Sequence, residues 1–336
     1  MDIKVEKYGQ YCEQNLYEFT LVNDQGLVVK LLNYGATLEQ VLMPGQAGLQ
    51  NLVLSLPGRL DYSKERNFLG GTVGRVVGRI RGHIWHCGSK DVVLAMNEGK
   101  NHIHGGNDGL DQQVYNFRIN KSPEKIEVIF TFLDSAGHNS YPGNLKLEVK
   151  YILNNDNQLK YQIRAKSDET TLFNPTNHTY FALDQPNNIF DTTLTIAADY
   201  FKPLDKEHLP YEGWLSVDNT VFDFRKGQKL ANVINSTDKQ IISEGGLNHP
   251  FLLTNGDKFA AKLETKNHRV TMTTTAPSMV VYTANHFDGT GVAKNIDKFA
   301  GIALECQYPP VSGNDLSAIT LLAGEDFYLE NIWNFE

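Results

Sequence analysis

Apolar residues recur at every second position along much of this chain. Leu147, Val149 and Tyr151 alternate with Lys146, Glu148 and Lys150, and Leu159, Tyr161, Ile163 and Ala165 alternate with Lys160, Gln162 and Arg164. A period of two puts the apolar set on one face of a strand and the polar set on the other. Asn154, Asn155, Asp156 and Asn157 separate the two runs. These side chains tolerate left-handed turn geometry, so the pair predicts a β-hairpin. Further strands are predicted over residues 28–32, 92–95, 127–132, 194–197, 269–274, 279–283 and 301–306. Helical periodicity is nearly absent; residues 58–65 and 311–316 have room for a turn or two. The 28 glycines and 12 prolines punctuate the whole length without gathering into a linker, and no repeat recurs at a fixed period. The pattern predicts one large antiparallel all-β domain over residues 1–336, with few short helices.

Composition narrows the partners. Acidic residues number 39 against 31 Lys and Arg, a formal net charge of −8. That is the wrong balance for a general nucleic-acid binder, which needs cations to displace phosphate counterions. Cys12, Cys87 and Cys306 are odd in number and scattered, which suggests neither a disulfide framework nor a CxxC metal site. No run approaches the ~20 apolar residues of a membrane span. Asp2, Lys4, Glu6 and Lys7 put charges where a signal peptide needs an apolar stretch. A soluble cytoplasmic protein with no membrane partner is expected.

Four segments carry candidate chemistry. His102 and His104 stand two apart before Gly105 and Gly106. On a strand they share a face, the spacing of a paired-histidine metal centre. The alternatives are one catalytic histidine in a glycine-flanked turn, or two loop histidines; with Asp108 as the nearest carboxylate, no metal is expected. His178 lies among Asn174, Thr176, Asn177, Thr179 and Tyr180. It is either a proton donor suited to neutral pH or an interior residue holding a loop. In residues 301–307, alternation puts Ala303, Glu305 and Gln307 opposite Ile302, Leu304 and Cys306. Glu305 then faces solvent or lines a polar cleft, where partial burial tunes a carboxylate into a general base. Arg75, Arg79 and Arg81 punctuate a glycine-rich run that lacks the spacing of a dinucleotide or P-loop fingerprint.

In this order and spacing, the segments resemble the galactose mutarotase (aldose 1-epimerase) family. The landmarks are residues 74–80, His104-Gly105-Gly106, Gly137 with Tyr141-Pro142-Gly143, and Asn177-His178-Thr179-Tyr180-Phe181. They continue through Asn248-His249-Pro250-Phe251, residues 281–285, Leu304-Glu305-Cys306-Gln307 and Ala323-Gly324-Glu325, nearly the whole chain. The resemblance implies a large β-sandwich with an open sugar-binding cleft on one sheet. It implies interconversion of the α and β anomers of a hexose such as galactose or glucose, in a monomer or homodimer, without metal or organic cofactor. Glu305 would be the general base, His178 the general acid, and His104 would assist at the ring or orient the sugar. Arg79, Asn177, Asn248 and Gln307 would bind substrate. The reaction removes a proton from the C1 hydroxyl while protonating the ring oxygen, so an acid and a base are expected on opposite sides of the anomeric centre.

The chain departs from the family at Gly78 and Ala182, where Asn is usual, and at Asn248, where a sugar-binding Asp is usual. An amide accepts more weakly than a carboxylate, so Asn248→Asp is expected to lower KM for a hexose. A maltose 1-epimerase and a hexose-6-phosphate 1-epimerase are the alternative activities, the second needing Arg75, Arg79 and Arg81 to converge. A non-catalytic sugar-binding sandwich and a metal-dependent cupin are the alternatives of other classes.

Overall fold

Tyr151 stands opposite Tyr161 in the hairpin that the alternation predicts. In the computed structural model, strand Leu145–Asn154 pairs antiparallel with Gln158–Ser167; the apolar set of each is buried and the polar set is exposed or half-buried. The structure describes residues 1–336 except 46, 47, 185–187, 212, 255–258, 312 and 314.

The hairpin is the middle of a nine-stranded sheet, which Asn116–Lys121 and Lys125–Asp134 extend on one side. On the other side follow Asp326–Phe335, Arg269–Thr274, Ala261–Glu264, Thr193–Ile196 and Gln228–Lys229. A six-stranded sheet runs Tyr180–Phe181, Ile302–Gln307, Ser278–Tyr282, Asn248–Leu253, Ala198–Phe201 and Leu215–Ser216. A five-stranded sheet is built from the first 51 residues. One buried apolar cluster draws on all three of these sheets, Phe19 and Val29 from the five-stranded, Phe130 and Trp333 from the nine-stranded, Leu304 and Met279 from the six-stranded. Phe181 meets Trp333 with ring centroids 6.3 Å apart, and Cys306 Sγ lies 3.9 Å from Met272 Sδ. These contacts commit Ile302, Leu304 and Cys306 to the core, so alternation turns Ala303, Glu305 and Gln307 to the sheet's other face.

The predicted strand at 92–95 sits two residues earlier, as Lys90–Val93 in an edge hairpin with Ile84–Cys87. Residues 58–65 hold the 3₁₀ turn Arg59–Ser63, whereas the helical candidate at 311–316 includes two residues outside the described ones. Strand Asp326–Phe335 was not predicted, because its buried face carries Asn331 between Leu329 and Trp333 and so breaks the apolar alternation. Two short helices were also missed, Leu230–Ile234 and Lys239–Glu244. The second starts where the Asp238 side chain accepts from the Gln240 and Ile241 amides, and stops at Gly245 with φ +66°.

Glu39, buried beside Glu18, has its carboxyl pushed up to about 7 by burial and by that neighbouring charge. The folded value lies above the ordinary 4.5 of a free carboxyl, so the folded chain holds the extra proton and the penalty grows as pH rises between the two. Glu39→Gln is expected to raise stability, and with it the melting temperature, above about pH 7, by up to about 3 kcal/mol, and to change both little below 4.5. Thermal melts at the two ends of that range check it; equal shifts at both would sink the argument.

Candidate active site

Histidines 102 and 104 part company at a tight turn. Strand His102–Ile103 pairs with Arg79–Ile80, and the chain then reverses through His104 (φ +48°), Gly105 (+80°) and Gly106 (+99°). A Cβ at Gly105 would lie 1.7 Å from the Gly74 carbonyl oxygen, so the turn requires glycine there. His102 faces the interior, its Nδ1 2.6 Å from the Ala95 carbonyl and its Nε2 2.6 Å from the Tyr141 hydroxyl. A carbonyl only accepts, so Nδ1 carries the proton and Nε2 accepts from Tyr141, which uses both nitrogens. The shared face that a paired-histidine metal centre needs is therefore lost. Among the described residues, no group of three His, Cys, Asp or Glu side chains is placed to hold a metal ion.

His104 turns into a cavity of about 400 Å³ on the outer face of the six-stranded sheet. The Gly78 N–H donates to its Nδ1 at 3.2 Å, which leaves the proton on Nε2. Arg66 fastens the turn from behind: it forks onto Asp111 at 2.8 and 2.6 Å and donates to the carbonyls of His104 and Gly106. Its guanidinium also covers the Phe68 ring, which lies 4.7 Å from the His104 ring and 6.0 Å from that of His178.

His178 sits between strands Thr176–Asn177 and Tyr180–Phe181, held by its backbone N–H to Gly71 and its carbonyl to Gly70. Its Nε2 is 3.4 Å from Glu305 Oε1, with the residues only 3% and 5% exposed. Burial pushes Glu305 up to about 8, opposed by the Arg79 charge, and pushes His178 down to about 4. His104 is held well below its ordinary value by burial and then by His178. Between those two values the Glu305–His178 pair carries one titratable proton. Acid and base candidates stand side by side in the cavity wall.

The remaining candidates divide. Arg79 lines the cavity with its Nε and Nη2 forked onto Glu98 at 2.5 and 2.7 Å. Gln307 lines it beside Glu305, and its Oε1 is buried without a hydrogen-bond partner among the described residues. Asn248 lines it with its amide nitrogen 2.9 Å from Glu244. Asn177 does not. Its Nδ2 donates to the Gly70 carbonyl and the Tyr151 hydroxyl, both at 3.0 Å, and its Oδ1 accepts from Thr179 at 2.6 Å. It braces the His178 segment from behind. Sequence reasoning did not find Phe68, His208, Glu244 or His286. Glu244 comes from a segment without a local motif. His286 follows the landmark at 281–285 and is placed by Tyr282, on whose ring it stacks and whose hydroxyl lies 3.2 Å from its Nδ1 and accepts from its backbone N–H at 3.0 Å.

The sequence profile described as aldose 1-epimerase matches residues 17–331. The aldose 1-epimerase of Escherichia coli K12 is 32% identical over 305 residues, 88% of this chain and 87% of that protein. The galactose mutarotase of Bos taurus is 31% identical over 322 residues, 92% of this chain and 91% of that one. A crystal structure of a galactose 1-epimerase from Lactobacillus acidophilus NCFM superposes with a TM-score of 0.95 at 47% identity, covering 100% of this chain and 98% of that chain. Among the described residues no helix is long and apolar enough to cross a membrane. With the profile spanning most of its length and relatives above 30% identity along about nine-tenths of it, the chain belongs to the aldose 1-epimerase family.

Proposed function

We propose that Glu305 and His178 interconvert the anomers of a free hexose, galactose or glucose, bound with C1 over the pair. The chain is an aldose 1-epimerase, an isomerase. The observation that carries the residue assignment is the 3.4 Å approach of a buried carboxylate and a buried imidazole in the cavity wall.

The two oxygens that exchange protons, O1 and the ring oxygen, are both bonded to C1. An acid and a base side by side therefore reach both, and a facing arrangement is unnecessary. Glu305 takes the proton from O1, the C1–O1 bond becomes a carbonyl as C1 parts from the ring oxygen, and His178 gives that oxygen a proton. Rotation about C1–C2 presents the other face of the aldehyde, and the reverse transfers close the ring. The proton needed is already in the pair. Moved from Glu305 to His178, it converts the resting form into the working form without exchange with solvent. Sugar hydroxyls against Glu305 replace the hydration lost on burial and favour its carboxylate. His104, with its proton fixed on Nε2 by Gly78, donates a hydrogen bond to a sugar oxygen. Gln307 and Arg79 take further hydroxyls. Each acid–base group of this kind contributes about 10²–10⁴-fold.

A 6-phosphate is a poor fit. Arg75 is buried and bound to Asp134, Thr171 and the Pro142 and Gly143 carbonyls, and Arg81 is bound to Asp205 and Glu207. Of the three arginines only Arg79 lines the cavity, and it is paired. We also read the chain as a single-domain cytoplasmic enzyme, monomer or homodimer, in keeping with its three free cysteines.

Optical rotation of freshly dissolved α-galactose, α-glucose and α-maltose, followed with and without the protein in EDTA, tests the reading. Faster decay is expected for at least one free hexose, unaffected by the chelator. A decay that the protein leaves unchanged for all three sugars refutes the activity. Activity lost in EDTA and restored by a divalent ion refutes the acid–base assignment.

A further inference from the structure

Glu244 ends the helix Lys239–Glu244, and the Gly245–Gly246 turn brings the chain back so that Asn248 starts the next strand beside it. Its side chain is 1% exposed. One oxygen, Oε2, accepts from two groups of the cavity wall: His208 Nδ1 at 2.9 Å and Asn248 Nδ2 at 2.9 Å. A carboxylate can only accept, so the NH₂ of Asn248 must be the end that faces Glu244. The carbonyl end, Oδ1, is then directed away from it. Asn248 is thereby an acceptor whose orientation is set, and the charge behind its NH₂ polarises the amide toward a more negative oxygen.

We propose that Glu244 is a positioning residue for sugar recognition, locking Asn248 so that the cleft selects a ligand hydroxyl able to donate at that point. This rests on the cavity being the sugar site. The ligand class is a hexose with a free hydroxyl there; a fluorine in its place cannot donate, and an O-methyl group neither donates nor fits the same space. His208 is the second donor to the same oxygen and holds Glu244 in place from the other side.

The consequence reverses what Asn248→Asp promised from sequence. An aspartate at 248 would put a second carboxylate oxygen where an N–H now lies 2.9 Å from Glu244, with no proton between them. Like charges at that distance either separate or force one group to protonate. Separation carries the acceptor oxygen off its set position, and taking up a proton at neutral pH costs binding free energy that the amide does not.

Calorimetric Kd and polarimetric KM for galactose and glucose test this. Asn248→Asp is expected to weaken both sugars by about tenfold or more, with kcat falling less than KM rises. The double variant Glu244→Gln/Asn248→Asp restores the pair with donor and acceptor exchanged, Gln giving an N–H to Asp. It should return Kd to within about threefold of the starting chain. A single Asn248→Asp that binds as tightly as the starting chain, or a double variant no better than that single one, overturns the lock. Monodeoxyfluoro hexoses give an arm that survives misfolding of either variant. In the unmodified chain one ring position should lose about tenfold on fluorination, and in Asn248→Ala that loss should vanish; a loss that persists in Asn248→Ala also overturns it. Unmodified protein that neither binds nor turns over any hexose would refute the activity itself, a result distinct from these.

Discussion

Replacing Glu305 by Gln is expected to lower kcat by ~10²-fold or more while KM moves by no more than a few-fold. The amide keeps the shape of the carboxylate and still bonds a hydroxyl, so binding survives. It cannot take the proton from O1, so ring opening loses its base. The pH profile adds a signature that a structural role would not give. In the unmodified enzyme kcat/KM is expected to be level between about 4 and about 8, the span over which the pair holds one proton. Above about 8 the pair has no proton to lend to the ring oxygen, and kcat/KM falls. In Glu305→Gln that alkaline fall should disappear from the residual rate, because the group responsible has gone. Initial rates of rotation change across pH, on a sugar of one anomer, decide it. Near-normal kcat, or an alkaline limb that survives the substitution, removes Glu305 from the role.

His178→Asn is the complementary case, with an expected ~10²-fold loss in kcat. Asparagine offers an N–H but does not release its proton to an alkoxide at neutral pH. The limb that should disappear here is the acid one. Below about 4 the unmodified pair is doubly protonated and lacks a base; with the imidazole gone, that titration has no owner. The ring also packs on Tyr180 at 5.0 Å and near Phe68, so some stability is lost with it. A thermal melt separates the two effects, since a folded variant with kcat intact would dismiss His178 as the acid. Losing the alkaline limb instead would exchange the two roles.

The strand carrying Glu305 is legible in the sequence alone. Ile302, Leu304 and Cys306 alternate with Ala303, Glu305 and Gln307, and a β-strand turns successive residues to opposite faces whatever surrounds it. The hairpin at 145–167 was legible for the same reason, its turn marked by residues that accept left-handed geometry. Asp326–Phe335 has the same alternation, but Asn331 occupies a core position and hides it. The polar residue is tolerated there because Thr274 donates to its Oδ1 at 2.7 Å, a bond between strands far apart in sequence.

Side-chain roles in the site followed another rule. His102 and His104 look equivalent in sequence, yet a left-handed φ at His104 sends one into the core and the other into the cleft. Asn177 and Gln307 are both amides in motifs of the same kind. Tyr151 and Gly70 claim the first, and nothing among the described residues claims the oxygen of the second. The meaning of Asn248 depends on Glu244, which carries no local signal at all. Sequence alone determined the all-β frame, the family landmarks and which face Glu305 would take, since alternation is a relation between residues i and i+2 on one strand. Tertiary structure alone decided which polar atoms remain free to meet a sugar. A hydrogen-bonding group is spent or available according to the donors and acceptors that distant segments bring within about 3 Å of it.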